Sequence, residues 1–235
     1  MLTVLVLSAA LALVFFYAPD DADQGFVQRI FYIHVPLAIV ALGGFVVGAA
    51  MAVAHLRTRD PRWDMRSYVA IHLALVLAVG VLITGAIWAR AAWGVWWDWN
   101  DSTLVSFLII FLLYATYQPL RFAIEDPERQ ARYASVFAVV AGVFVPLNFM
   151  AVRLAQAYVH PSLGSAKNLP GSMRLTFLVS LAGIALLYAT LWKYEMTSKY
   201  ASAQLRALRR KLGAPDATAR RSAAPALPPA AQGTV

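Results

Sequence analysis

An all-α, polytopic membrane fold is predicted by three features of this chain: its apolar weight, its uncharged windows and the one-sided placement of its basic residues. Of 235 residues, 60% are hydrophobic and 14% charged, against roughly 45–50% and about 25% in soluble domains. Uncharged apolar windows recur at close to the ~20 residues that a bilayer core requires. What remains between them is too short for a separate soluble domain. Cysteine is absent, which removes disulfides, thiolate metal sites and thiol catalysis.

Six helices are predicted in order: Leu2 to Tyr17, Ile30 to Ala54, Tyr68 to Ala89, Leu104 to Leu120, Ala134 to Val159 and Met173 to Trp192. The first is short for a span. No basic residue precedes it, whereas a signal peptide needs a charged n-region, so an anchored first helix is expected. These helices make a transmembrane domain over residues 1–194. Residues 195–212 place Leu205, Leu208 and Leu212 at helical spacing beside basic residues, which predicts a cytoplasmic basic amphipathic helix lying on anionic lipid. The Ala/Pro-rich stretch 213–235 has too few bulky apolar residues to offset the entropy of folding, and disorder is expected there.

Orientation follows from the cations. The net charge is +8, and fifteen of the twenty Lys and Arg fall on one side: in the loop from His55 to Ser67, in the loop after the fourth span, and beyond the sixth. Arg29, Arg90, Arg153, Lys167 and Arg174 fall near the opposite helix ends. The positive-inside rule then puts both termini in the cytoplasm and the loops after spans one, three and five outside.

Five of the seven tryptophans, Trp88, Trp93, Trp96, Trp97 and Trp99, crowd around one outward loop, residues 88–102. An interfacial belt would be shared among helices and between both surfaces. Concentration in a single loop favours a binding platform. Positions 93, 96 and 97 have i, i+3, i+4 spacing, so a short surface helix would present three indoles on one face. A flat apolar face with polar N–H edges suits a planar aromatic ligand such as a porphyrin.

Neutral imidazole is a common axial ligand of haem iron. His34, in Tyr32-Ile33-His34-Val35-Pro36, lies just inside the outer end of the second span, and His160 lies just past the outer end of the fifth. Both share the depth of the tryptophan loop. His55 and His72 flank the loop on the other side. For any one of these histidines, hydration or a carbonyl partner is the ordinary role; it is the coincidence of two beside the indoles that points to a metal-bearing ligand. Propionates would need cations, and Arg29, Arg90, Arg153 and Arg174 are within reach of that surface. Each of these arginines also has an ordinary role, snorkelling to headgroups or pairing with Asp20, Asp21 or Asp23. Nucleotide-binding, hydrolase-elbow and zinc-protease motifs are absent, and the spans carry almost no acids for a proton relay.

With these residues in view, the chain resembles the tryptophan-rich (WWD-motif) haem-handling family of cytochrome c biogenesis, and within it the haem exporter protein C (CcmC) group. The resemblance covers nearly all of residues 20–195. It rests on Gly85, Trp88 and Trp93-Gly94-Val95-Trp96-Trp97-Asp98-Trp99, on the His34-Val35-Pro36 element, and on His160. It implies a cytoplasmic-membrane protein that holds haem b transiently at the outer face, with His34 and His160 as axial ligands and the tryptophans as platform. Arg29 and Arg90 are the nearest candidates for the propionates. The resemblance further implies delivery to the haem chaperone CcmE beside the ABC-type complex CcmA/CcmB and the small subunit CcmD. Such a factor presents haem and is not expected to be a self-contained enzyme. Three alternatives stay open: a component like the CcsA cytochrome c synthases, a b-type membrane electron carrier using His55 and His72 for a second haem, and a scaffold without haem.

Overall fold

The computed structural model describes residues 1–154 and 169–212. Among these the chain is helical: α1 (Leu2–Phe16), a 3-10 turn (Phe26–Ile30), α2 (Phe31–Thr58), α3 (Pro61–Trp93), α4 (Ser102–Phe122), α5 (Pro127–Leu154) and α6 (Gly171–Lys211). The chain divides into two units, Met1–Tyr194 and Glu195–Val235. Five helices are long and apolar enough to cross a membrane, as fits a multi-pass membrane protein. The sixth, α1, has 15 residues, about 22 Å at 1.5 Å per residue, short of a hydrocarbon core of about 30 Å. The six predicted apolar segments are therefore five helices of spanning length and one shorter apolar helix.

Neighbouring helices run antiparallel, as side-chain contacts at both ends show. His34 near the start of α2 meets Thr84 near the end of α3, while Ser67 near the start of α3 bonds the Gly48 carbonyl at 2.8 Å. His72 of α3 meets Gln118 of α4, and Asn148 of α5 donates to Ser106 of α4. Thr3 of α1 bonds Thr190 of α6 at 2.8 Å. The start of α1 and Thr190 thus lie at one end of the first unit, together with the turns joining α2 to α3 and α4 to α5. The loop 94–101 lies at the other end.

Close approach of α2 to α3 follows from two glycines one turn apart. A Cβ on Gly44 would lie 2.9 Å from the Ala74 Cβ, and one on Gly48 would lie 2.6 Å from Ile71 Cγ1. Such small-residue spacing lets backbones approach where lipid supplies no hydrophobic drive between helices. Phe45 stacks on Tyr114 at 3.9 Å and 7°, joining α2 to α4 in the centre of the core.

The predicted loop from His55 to Ser67 is in fact a tight turn. α2 continues to Thr58 and α3 begins at Pro61. Arg59 adopts φ 58°, a left-handed helix stop, and Asp60 caps α3 by accepting from the Arg62 N–H at 2.8 Å, with Pro61 at the first helical position. Charge density concealed these helix ends, because Arg57, Arg62 and Arg66 sit on helical turns that extend beyond the apolar window. Arg121, predicted to be a loop residue, is likewise in the last turn of α4 and 9% exposed, paired with Asp64. In the second unit Leu205, Leu208 and Leu212 are exposed beside Arg206, Arg209 and Arg210.

Candidate functional site

His34 occupies the first turn of α2, just after the 3-10 turn, and is 6% exposed. Its Nδ1 lies 3.0 Å from Thr84 Oγ1. The Thr84 hydroxyl also lies 2.7 Å from the Gly80 carbonyl, an acceptor for its proton. When the hydroxyl gives its proton to that carbonyl, Nδ1–H donates to Thr84 and the ring's lone pair lies on Nε2. That is the tautomer through which an imidazole binds a metal by Nε2, fixed from behind by a hydrogen-bond acceptor. Gly85 makes room for the ring: a Cβ there would lie 2.9 Å from His34 Cε1.

Trp88 packs edge-on to His34, with ring centroids 5.6 Å apart at 76°, and is 7% exposed. Its Nε1–H donates to Gln24 Oε1 at 2.8 Å. Gln24 is positioned by a turn in which Asp21 Oδ1 accepts from the backbone N–H groups of Asp23 and Gln24. Trp88 is therefore a wall beside the imidazole, tied to the segment that follows α1, and is not part of an exposed platform. Arg29 is engaged in the same segment: it pairs with Asp20 at 2.9 Å and donates to the Phe15 carbonyl at 2.8 Å. Its ordinary role, pairing with a nearby acid, is the one the structure displays.

The tryptophan loop does not form the predicted short helix. α3 ends at Trp93, where Gly94 takes φ 78° and its N–H caps the Arg90 carbonyl, and residues 95–101 are irregular. Glycine adopts that backbone region at no steric cost, and the helical spacing of positions 93, 96 and 97 is broken by the residue between them. Arg90 folds back to bond the Gly94 carbonyl and lies over the Trp96 ring at 6.0 Å. Trp96 and Trp99 are 60% and 71% exposed. Trp97 meets Trp99 edge-on at 5.9 Å and 62°, so these two indoles line a corner in place of a common plane. The Trp97 Nε1–H is buried with no acceptor among the described residues.

The loop acids hold its shape. Asp98 Oδ1 accepts from the Asn100 backbone N–H at 2.9 Å, and Asp101, 1% exposed, caps α4 through the N–H groups of Thr103 and Leu104. His160, Arg153 and Lys167 lie outside the residues whose side chains are described. Of the remaining histidines, His55 lies 2.8 Å from Ser135 Oγ, while His72 Nδ1 accepts from the Gln118 amide at 2.9 Å.

This geometry invites comparison with known proteins. A sequence profile of the family described as heme exporter protein C matches residues 1–211. It belongs to the heme exporter protein C family. Among relatives bearing that name, the Rhodobacter capsulatus protein is 30% identical over 213 residues, covering 89% of this chain and 88% of its own. The Paracoccus denitrificans protein is 32% identical over 180 residues (75% and 74%), and the Escherichia coli protein 31% over 197 (83% and 79%).

In this heme exporter protein C member, Thr84, Gln24 and the steric part of Gly85 escaped the reading of the sequence. A signal for the first existed. Thr84 is the one hydroxyl in the run Gly80 to Ala89 and stands one turn before Trp88, hence on the same helix face. Gln24 gave no such signal, because its contact spans 64 positions of sequence.

Proposed function

We propose that this protein binds haem b transiently at the outer face of the cytoplasmic membrane and hands it to the haem chaperone CcmE during c-type cytochrome maturation. It acts beside the ABC-type complex CcmA/CcmB and CcmD. His34 Nε2 is one axial ligand and His160 the other, and Trp93, Trp96, Trp97 and Trp99 cover the macrocycle. Both termini are cytoplasmic, since the arginine-rich helix ends belong on that side of the bilayer. The single observation that carries the reading is the imidazole of His34. Its Nδ1 is engaged by Thr84, which suits the tautomer that binds a metal through Nε2, and the same end of the bundle exposes the Trp96 and Trp99 indoles.

The fit to haem extends to the edges of the macrocycle. Exposed indoles offer apolar area and π-faces to a porphyrin. The Trp97 N–H, buried without an acceptor among the described residues, is a donor suited to a propionate oxygen. Arg90, exposed beside Trp96, adds a cation at the same end, and Arg29 would have to leave Asp20 to do so. Coordination by imidazole keeps the iron while allowing exchange, and exchange is what delivery requires. No side-chain acid or base chemistry on the substrate is involved.

The test is an absorption spectrum of the purified protein with bound haem, repeated for His34→Ala and His160→Ala. Each substitution should replace the two-imidazole spectrum by that of a haem with a weak or missing sixth ligand. Unchanged axial ligation in both variants would overturn the assignment.

A further inference from the structure

At the end of the bundle opposite the tryptophan loop lies a cavity of about 1040 Å³ between the end of α2, the start of α3 and the first turns of α5. Its lining brings together Arg59, Arg129 and Arg132, with Asp126 and Glu128 as the opposing charges. The three arginines are exposed and make no ion pair among the described residues. Asp126 is already employed, accepting from the Arg129 backbone N–H at 2.7 Å as the cap of α5. Three arginines against two carboxylates leave the lining with a formal net charge of +1. Arg59 is held there by its left-handed backbone, φ 58°, which fixes where its side chain leaves the chain.

The rest of the wall is apolar, including Leu56, Pro61, Pro127 and Val136. From Val136 an apolar stripe continues up α5 at helical spacing through Val140, Val143 and Leu147, which are 45%, 57%, 56% and 47% exposed. A ligand that satisfies both features has an anionic head and a hydrocarbon tail. Basic pockets between transmembrane helices on the cytoplasmic side bind phospholipid headgroups in this way. We propose that this cavity holds the phosphate of an anionic phospholipid, with an acyl chain lying along Val136, Val140, Val143 and Leu147. The site is independent of haem binding, since His34 lies 21 residues from His55 along α2, about 31 Å at 1.5 Å per residue.

Native mass spectrometry of the full chain in detergent, offered equal phosphatidylglycerol and phosphatidylcholine, tests this. Phosphatidylglycerol should be retained in preference by roughly tenfold. Arg59→Gln/Arg132→Gln should reduce that preference to near unity, and Arg129→Gln alone should lower it part of the way. Arg57→Gln/Arg62→Gln, which removes equal charge from residues outside the cavity lining, should leave it unchanged. All five positions are exposed, so helix content and melting should hold. An undiminished preference in the cavity variant, or an equal loss of preference in the control, would overturn the proposal in favour of diffuse surface charge. A third arm adds inorganic phosphate: full displacement of phosphatidylglycerol at millimolar concentration would keep the phosphate chemistry but overturn the lipid as occupant.

Discussion

Thr84 Oγ1 stands 3.0 Å from His34 Nδ1 and 2.7 Å from the Gly80 carbonyl, so one hydroxyl links a helix backbone to an imidazole on the neighbouring helix. With the hydroxyl proton directed at the Gly80 carbonyl, the imidazole carries its own proton on Nδ1, an arrangement that substitution of Thr84 tests. Thr84→Val removes the acceptor at constant shape and should weaken haem retention about 10- to 100-fold, the usual cost of losing such a partner. Thr84→Ser should restore it. Haem per chain after size-exclusion chromatography, with the helical circular dichroism as control, reads the difference.

Gly85 is a steric prediction at the same place. With 2.9 Å between an added Cβ and His34 Cε1, Gly85→Ala must push the ring off its bond to Thr84. Overpacking of this kind costs about 1–3 kcal/mol. The expected result is a modest loss of thermal stability in detergent with a disproportionate loss of bound haem. Wild-type haem content in the variant would show that ring position is not critical.

Asp64 and Arg121 form a two-pronged ion pair at 2.6 and 2.7 Å, with side chains about one-tenth exposed, and the guanidinium also lies over the Tyr68 ring. Asp64→Leu alone strands a buried cation and should cost about 3–5 kcal/mol. The double variant Asp64→Leu/Arg121→Met should recover much of this, because neither charge is then buried alone. Thermal unfolding of the single and double variants measures the coupling. Additive losses would contradict a direct pair.

Among the tryptophans, exposure predicts a division of roles. Trp96→Ala and Trp99→Ala should change stability by no more than about 0.5 kcal/mol, as for other surface positions, yet reduce haem retention. Trp88→Ala empties a buried site and severs the bond to Gln24, so it should cost about 3–5 kcal/mol. Melting and haem content measured on the same samples separate the two behaviours.

Much of the fold was legible because bilayer solvation is written residue by residue. Among the described residues the apolar windows located each of the six α-helices, with differences at the ends. Arg57, Arg62 and Arg66 are polar enough to mimic a loop but are in fact helical, since a helix continues wherever its backbone bonds can form, whatever its side chains prefer. The Asp60-Pro61 pair was the signal that would have located that turn. The tryptophan cluster was equally plain, but its conformation was not. Gly94 breaks the helical spacing of the indoles, and a glycine's left-handed backbone leaves no trace in periodicity.

From the sequence alone came the class of the protein, its apolar segments, its charge asymmetry and the imidazole and indoles to be suspected, because these depend on side-chain type and local spacing. The tertiary structure decided which side chain the His34 imidazole meets, which tryptophan is wall and which is surface, and which arginines are already paired. Those properties arise from distances between residues such as His34 and Thr84, fifty positions apart, and only packing can set them.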